Sequence, residues 1–193
     1  MTTWFRSDDH FQHLKIIPYC FRPFTSIDEM NSELITRHNQ VVKKDDEVYY
    51  LGDFSLSEKV VPIILPALNG RIHLILGNHD KAHPLNFKAG SREVKAAEAK
   101  KRYLDYGFVS VDLEMKLDPF ILCHFPYLSE EVENKYEAKY PQWRPKNNGE
   151  WLLCGHVHQA WKTKNKMINV GCDVWDYAPV QLETLIAIKE NSK

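Results

Sequence analysis

Five short apolar runs in this chain end abruptly on residues able to bind a metal or move a proton. "TWF" near the N-terminus leads to Asp8 and His10, and "EVYYL" (47–51) leads to Asp53. "IHLIL" (72–76) leads to Asn78, His79 and Asp80. "FILC" (120–123) meets His124, and "WLLC" (151–154) meets His156 and His158. Runs of this length, rich in β-branched and aromatic residues, read as strands. Two more, "MINV" (167–170) and "TLIAI" (184–188), complete the set of expected strands. Polar clusters at the C-terminal ends of strands belong at one edge of an open α/β sheet, where strand ends fix side chains and loops leave room for a ligand.

Helical patterns lie between the strands. Ser26 and Glu29 form a capping box, and Ile27, Met30, Leu34, Ile35 and Val41 or Val42 continue one apolar face. Ser57 opens a second helix toward Leu68, which Pro62 and Pro66 shorten or kink before Asn69 and Gly70 stop it. Ser91 opens a third, ended by Gly107 after Tyr106. Residues 129–139 predict a charged surface helix with Glu131 and Lys135 at a favourable spacing. This alternation predicts an α/β domain with buried strands. A length of 193 residues, without repeat or linker, predicts a single domain over 1–193.

A net charge of −1 leaves no general field for a polyanion, so strong non-specific nucleic-acid binding is not expected. No apolar stretch approaches the roughly 20 residues of a membrane span. The opening "MTTWFRSDDHF" lacks a secretion signal. Cys20, Cys123, Cys154 and Cys172 form no C-x-x-C and read as free thiols of a cytoplasmic protein.

The inventory of donors decides the chemistry. Asp8, His10, Asp53, Asn78, His124, His156 and His158 mix hard oxygens with imidazole nitrogens, which suits Mn, Fe, Zn, Ni or Co rather than Ca alone. Seven donors exceed one tetrahedral site and suit two ions sharing a carboxylate. Paired metals ~3.5–4 Å apart are a common device for in-line displacement at phosphorus.

In order, "SDDH" (7–10), "LGDF" (51–54), "GNHD" (77–80), "CHFP" (123–126) and "GHVH" (155–158) resemble the motifs of the calcineurin-like metallophosphoesterases. "DDHFQHLKII", "RPF", "DDEVYYLGDF" and "NVGCDVWDYAPV" are similar to a small branch common in bacteria and their phages. That branch usually reads H-F-G-H where this chain has Gln12 for the Gly, a change expected to alter the first loop's backbone. The resemblance implies a four-layer α/β/β/α sandwich, two mixed β-sheets flanked by helices. It implies two divalent ions, Mn²⁺ foremost. Asp8, His10 and His158 would hold the first, Asn78, His124 and His156 the second, and Asp53 both. A bridging hydroxide would attack phosphorus, His79 would protonate or hydrogen-bond the leaving oxygen, and Asp80 would orient His79. Gly77 would permit a tight turn between Asn78 and the strand. His13 and Arg22 would contact substrate phosphate.

The expected function is hydrolysis of small or nucleotide-type phosphodiesters, with phosphomonoesters as the alternative substrate. A non-catalytic metal-binding scaffold of the same fold is a second alternative, set against the retention of His79 and every ligand. Phosphoprotein phosphatases and dinucleoside tetraphosphate hydrolases resemble GD-x-x-DRG and GNHE, which "GDFSLS" and "GNHD" fit poorly. DNA-repair nucleases usually carry an added domain, for which this chain leaves little room. His73 alternates within a strand and reads as structural, while His38 and Asn39 lie on the 26–42 helix. Cys123 precedes His124 and so faces the opposite side of its strand. Asp173 and Asp176 are candidates to orient ligand histidines, or else to cap turns. Tyr127, Trp143 and Trp151 border residues 125–150, the expected specificity element, and read as packing.

Overall fold

The computed structural model describes residues 1–128 and 139–192. The helix expected over 129–139 therefore falls almost wholly outside the described residues. In chain order the elements are β1 (Thr3–Arg6), α1 (Ile16–Tyr19), α2 (Ile27–Val41), β2 (Glu47–Tyr50), α3 (Val61–Ile64), β3 (Arg71–Ile75) and α4 (Arg92–Tyr106). There follow β4 (Ser110–Asp112), β5 (Glu114–Leu117), β6 (Phe120–Cys123), β7 (Trp151–Cys154), β8 (Thr163–Lys164), β9 (Met167–Asn169), β10 (Val180–Gln181) and α5 (Leu182–Asn191).

The strands form two mixed five-stranded sheets, ordered β10-β1-β2-β3-β4 and β5-β6-β7-β9-β8. In the first, β1 to β4 run parallel and β10 antiparallel. In the second, β6, β7 and β9 run parallel and the edges β5 and β8 antiparallel. The sheets pack face to face through side chains that alternate along each strand. Phe5 (β1), Ile75 (β3), Phe120 and Leu122 (β6), Leu153 (β7), Ile168 (β9) and Val180 (β10) make this shared core. The opposite face of the first sheet, with Val48, Tyr50, Ile72 and Leu74, packs on Met30 and Leu34 of α2 and on Ala99 and Tyr103 of α4. The opposite face of the second presents Ile121, Cys123, Leu152 and Cys154 to Leu85, Tyr140, Trp143 and Trp161. Cys123 thus points away from the site as strand alternation requires, and all four cysteines are free and buried.

Local signals set most boundaries. Ser26 caps α2, its hydroxyl accepting from the Glu29 amide, while Glu29 reaches back to Thr25. Gly107 ends α4 at φ 117°. Pro62 and Pro66 break the 58–67 stretch into 3₁₀ turns around one α-turn. "TLIAI" corrects the sequence reading: it lies inside α5, with Leu182, Leu185 and Ile186 at helical spacing on the inter-sheet core. A run of five apolar residues does not distinguish a buried strand from a buried helix.

Candidate metal centre

The parallel strands β1, β2, β3, β6 and β7 each hand their next few residues to one rim. Ser7, directly after β1, bridges to Gly171 beyond β9, so the two sheets meet there. All seven expected donors come together at this junction, and all are buried. Asp8, His10 and His158 offer donor atoms within 4.8 Å of one another, and so do Asp8, Asp53 and His124. The Oδ2 of Asp53 lies 3.5 Å from Nε2 of His10 and 3.6 Å from Nε2 of His124. The latter nitrogen also lies 3.2 Å from Oδ1 of Asn78. His156 is tied in through its amide, which donates to both Asp8 oxygens at 3.1 and 3.0 Å, and its ring sits 5.2 Å from that of His124.

Second partners fix the tautomers. Nδ1 of His124 donates to the Leu51 carbonyl at 2.7 Å, which leaves Nε2 as a lone pair facing Asp53 and Asn78. Nδ1 of His158 is 2.9 Å from Oδ2 of Asp173 and donates to it. Nε2 of His10 is buried with no hydrogen-bond partner among the described residues. A buried imidazole nitrogen left this way costs free energy unless something else binds it. Mixed oxygen and nitrogen donors around such an atom fit a divalent cation of the Mn, Fe or Zn type.

Electrostatics agree with that fit. Burial pushes Asp53 up to about 7. It pushes Asp80 up to about 8, helped by the charge of Asp53. Burial also pulls His124 down to about 4, and His10 well below the ordinary imidazole range, where His158 and His79 add to the effect. Neutral imidazole is the ligating form. His158 behaves differently: burial opposes its protonation, but hydrogen bonds to Asp173 and Cys20 and the charge of Asp8 hold its pKa well above the ordinary value.

His79 is the open member of the cluster. Its side chain is 39% exposed, its Nε2 lies 4.0 Å from Oδ2 of Asp53, and its amide donates to Oδ1 at 2.7 Å. Burial, then the positive charges of Lys81, His158 and Lys139, pull it down to about 4. His13 stands beside it, half-buried, with Nδ1 3.4 Å from Nδ1 of His10.

Two expected roles change. Asp80 does not orient the His79 ring. Its carboxylate accepts from the amides of Asp53 (2.9 Å), Phe54 (3.0 Å) and Gly77 (2.7 Å), so it braces the β2 and β3 loops. Arg22 lies behind the loop rather than in front of it: it is 4% exposed, and its fork is spent on Asp173 and on the carbonyls of Asp8 and Asp9. The turn expected of Gly77 is present, its carbonyl accepting from the Asp80 amide at 3.2 Å, and the glycine also allows a close approach. A Cβ there would sit 2.5 Å from the Asp53 amide nitrogen and 2.9 Å from Cε1 of His124. Gly52, at φ 88°, faces it across the same gap.

Of the remaining candidates, Asp173 does hold a histidine, whereas Asp176 is an exposed partner of Arg37. His73 pairs with Glu47 and Ser110, and Asn39 binds the backbone of Ala67 and Asn69. Tyr127 and Trp143 pack against the second sheet and Trp151 against the inter-sheet core. Sequence reasoning missed Arg6 and Asp9. Arg6 is fully buried, binds Asp9 at 2.6 Å, and contacts His38 and the Leu34 carbonyl; the Tyr50 hydroxyl donates to the other Asp9 oxygen. An Arg ending the apolar run "TWF" and set three residues before Asp9 in "TWFRSDD" was the available signal.

Two mixed sheets stacked face to face, with Asp, His and Asn donors gathered where their strands end, define a layered α/β protein with a candidate dinuclear centre. The chain belongs to the calcineurin-like phosphoesterase superfamily, whose domain model matches residues 1–186. Hydrolysis of phosphoric esters with divalent metals is the coarse activity this membership supports. The chain is 32% identical to "Uncharacterized protein MJ1445" of Methanocaldococcus jannaschii, over 97% of this chain and 90% of that one. It is 30% identical to the "Gene 66 protein" of Mycobacterium phage L5 (90% and 87%) and 32% identical to that of phage D29 (92% and 91%). The phage relatives fit the branch indicated by the motifs. Among solved structures it is similar to the protein of unknown function AQ665 from Aquifex aeolicus, with a TM-score of 0.67 and 24% identity over 97% of this chain and 98% of that one. That likeness shows the fold. Among the described residues, no helix is long and apolar enough to cross a membrane.

Proposed function

We propose that this chain is a dinuclear metal-dependent phosphodiesterase of small or nucleotide-type substrates, acting as one domain over 1–193 in the cytoplasm. The observation that carries the reading is Asp53, whose Oδ2 is approached by imidazole nitrogens at 3.5 Å from His10 and 3.6 Å from His124. A carboxylate so placed is suited to share two cations. Asp8, His10 and His158 would hold one, and Asn78, His124 and His156 the other, with Mn²⁺ the first choice. When bound, such ions supply Lewis acidity toward phosphoryl oxygens and lower the pKa of water from roughly 15.7 to about 7.

The chain's own groups do the rest. Asp80 and Gly77 keep the β2 and β3 loops in register, so Asp53 and Asn78 present their oxygens together. His79, half open beside Asp53, faces the leaving oxygen. Its low pKa favours a neutral ring at pH 7, which stabilises developing charge by N–H donation. His13, next to it, supplies a second imidazole for substrate phosphate.

The phosphomonoesterase reading has one observation in its favour. Lys81 and Lys139 both bear on His79, and extra positive charge suits a dianionic monoester. A panel of cyclic nucleotides, linear diesters and monoesters, run with Mn²⁺-reconstituted protein, separates the two. The enzyme reading itself is tested with a chromogenic phosphodiester and a His79→Asn variant. The variant is expected to bind Mn²⁺ as wild type does and to lose about 10²–10⁴-fold in turnover. Absence of Mn²⁺-dependent hydrolysis in wild type, or unchanged turnover in the variant, would overturn the mechanism.

A further inference from the structure

Arg22 touches both limbs of the first half-site. Its Nη2 donates to the Asp8 carbonyl at 2.6 Å and its Nη1 to the Asp9 carbonyl at 2.8 Å. Its Nε donates to Oδ1 of Asp173 at 2.8 Å, and Nη2 also reaches Oδ2 at 3.2 Å. That same Oδ2 accepts from Nδ1 of His158 at 2.9 Å. Asp8, with φ 61°, and His10, with φ 54°, flank Asp9 in the left-handed region, a conformation that persists only when neighbours over-determine it. Arg22 grips the backbone of that turn, while Arg6 grips the Asp9 carboxylate from the other side. None of Arg22's hydrogen bonds among the described residues goes to Asn78, His124 or His156.

We propose that Arg22 is a positioning residue that favours one metal: its guanidinium locks the Asp8–His10 turn to the Asp173–His158 pair and so sets the geometry of the first site far more directly than that of the second, which it reaches only through the Asp8 carboxylate. The inference rests on the two-metal reading above. A planar fork is needed, because three acceptors on two separate segments must be met at once. Asp173 holds the His158 ring through Nδ1, the arrangement by which hydrogen-bonded carboxylates orient metal-ligating histidines. Lysine, a point charge on a flexible stem, would satisfy Asp173 and leave the two carbonyls loose.

Mn²⁺ titration calorimetry and Mn²⁺ EPR on the full chain test this. Wild type is expected to bind two equivalents and to show an exchange-coupled spectrum. Arg22→Gln and Asp173→Asn should each weaken one site about 10- to 100-fold and leave the other near its wild-type affinity. Their spectra at one equivalent should match that of His158→Gln and differ from that of His156→Gln. The double variant should lose no more than the worse single one, since the two act as a unit. Arg22→Lys should recover thermal stability without recovering the weakened site. Parallel loss of both sites, full rescue by Lys, or unchanged affinities in Arg22→Gln would each overturn the proposal. Wild type binding no Mn²⁺, or a single equivalent, would instead remove the dinuclear reading on which it stands.

Discussion

Asp8, His10, Asp53, His156 and His158 all adopt positive φ, between 49° and 70°. Non-glycine residues occupy this region at a cost of about 1–2 kcal/mol each, so five donors held there are evidence of a backbone shaped around a ligand. Gln12 shares the conformation at φ 60° in the same loop. Here, where the branch usually has glycine, a glutamine holds a backbone conformation that glycine would take without strain. Gln12→Gly should therefore stabilise the protein by up to about 1 kcal/mol, relief of left-handed strain outweighing added unfolded-state entropy. Differential scanning calorimetry should show a Tm rise of up to about 2–4 °C with the Mn²⁺ stoichiometry unchanged. At this scale the donors themselves were legible, because residue type and order survive in sequence. The partners of Arg22 and Asp80 were not: the sequence reads Arg22 as contacting substrate and Asp80 as orienting His79, and only tertiary contacts, up to 151 positions away, reveal them as braces.

Six of the seven expected strands exist, and their register follows from apolar alternation. β6 sends Phe120 and Leu122 to the inter-sheet core and Ile121 and Cys123 to the other face. Leu153 on β7 is fully buried between the sheets. Leu153→Ala should cost about 2–5 kcal/mol. Urea unfolding should show the midpoint falling with little change in slope, and a cost under about 1 kcal/mol would mean the sheets are not packed through this residue. The short strands β4, β5, β8 and β10 escaped the sequence reading. β8 and β10 are two residues long, and β5 is a polar edge strand, "EMKL", whose alternation is masked by charge. Strands this short are defined by the neighbours that pair with them rather than by their own residues. α5 erred the other way: the apolar run predicted burial correctly, but its period was decided by packing at the end of the sandwich.

Across the molecule, the rim where both sheets end gathers buried carboxylates and imidazoles in a low-dielectric junction. Cations that bind this rim in the folded state and not in the unfolded chain add stability by mass action, about 2.7 kcal/mol per site at 100 times Kd. Treatment with EDTA is accordingly expected to lower Tm by several degrees, and returning Mn²⁺ to restore it; a Tm indifferent to both would argue against metals at the rim. Sequence by itself determined the set of candidate donors, its order along the chain, the family it belongs to and the strand ends that deliver it, since each depends on local residue type and period. Tertiary structure alone decided which side chains face the site and which stand behind it, because a guanidinium or carboxylate has the same chemistry in both places and only long-range packing chooses its partners.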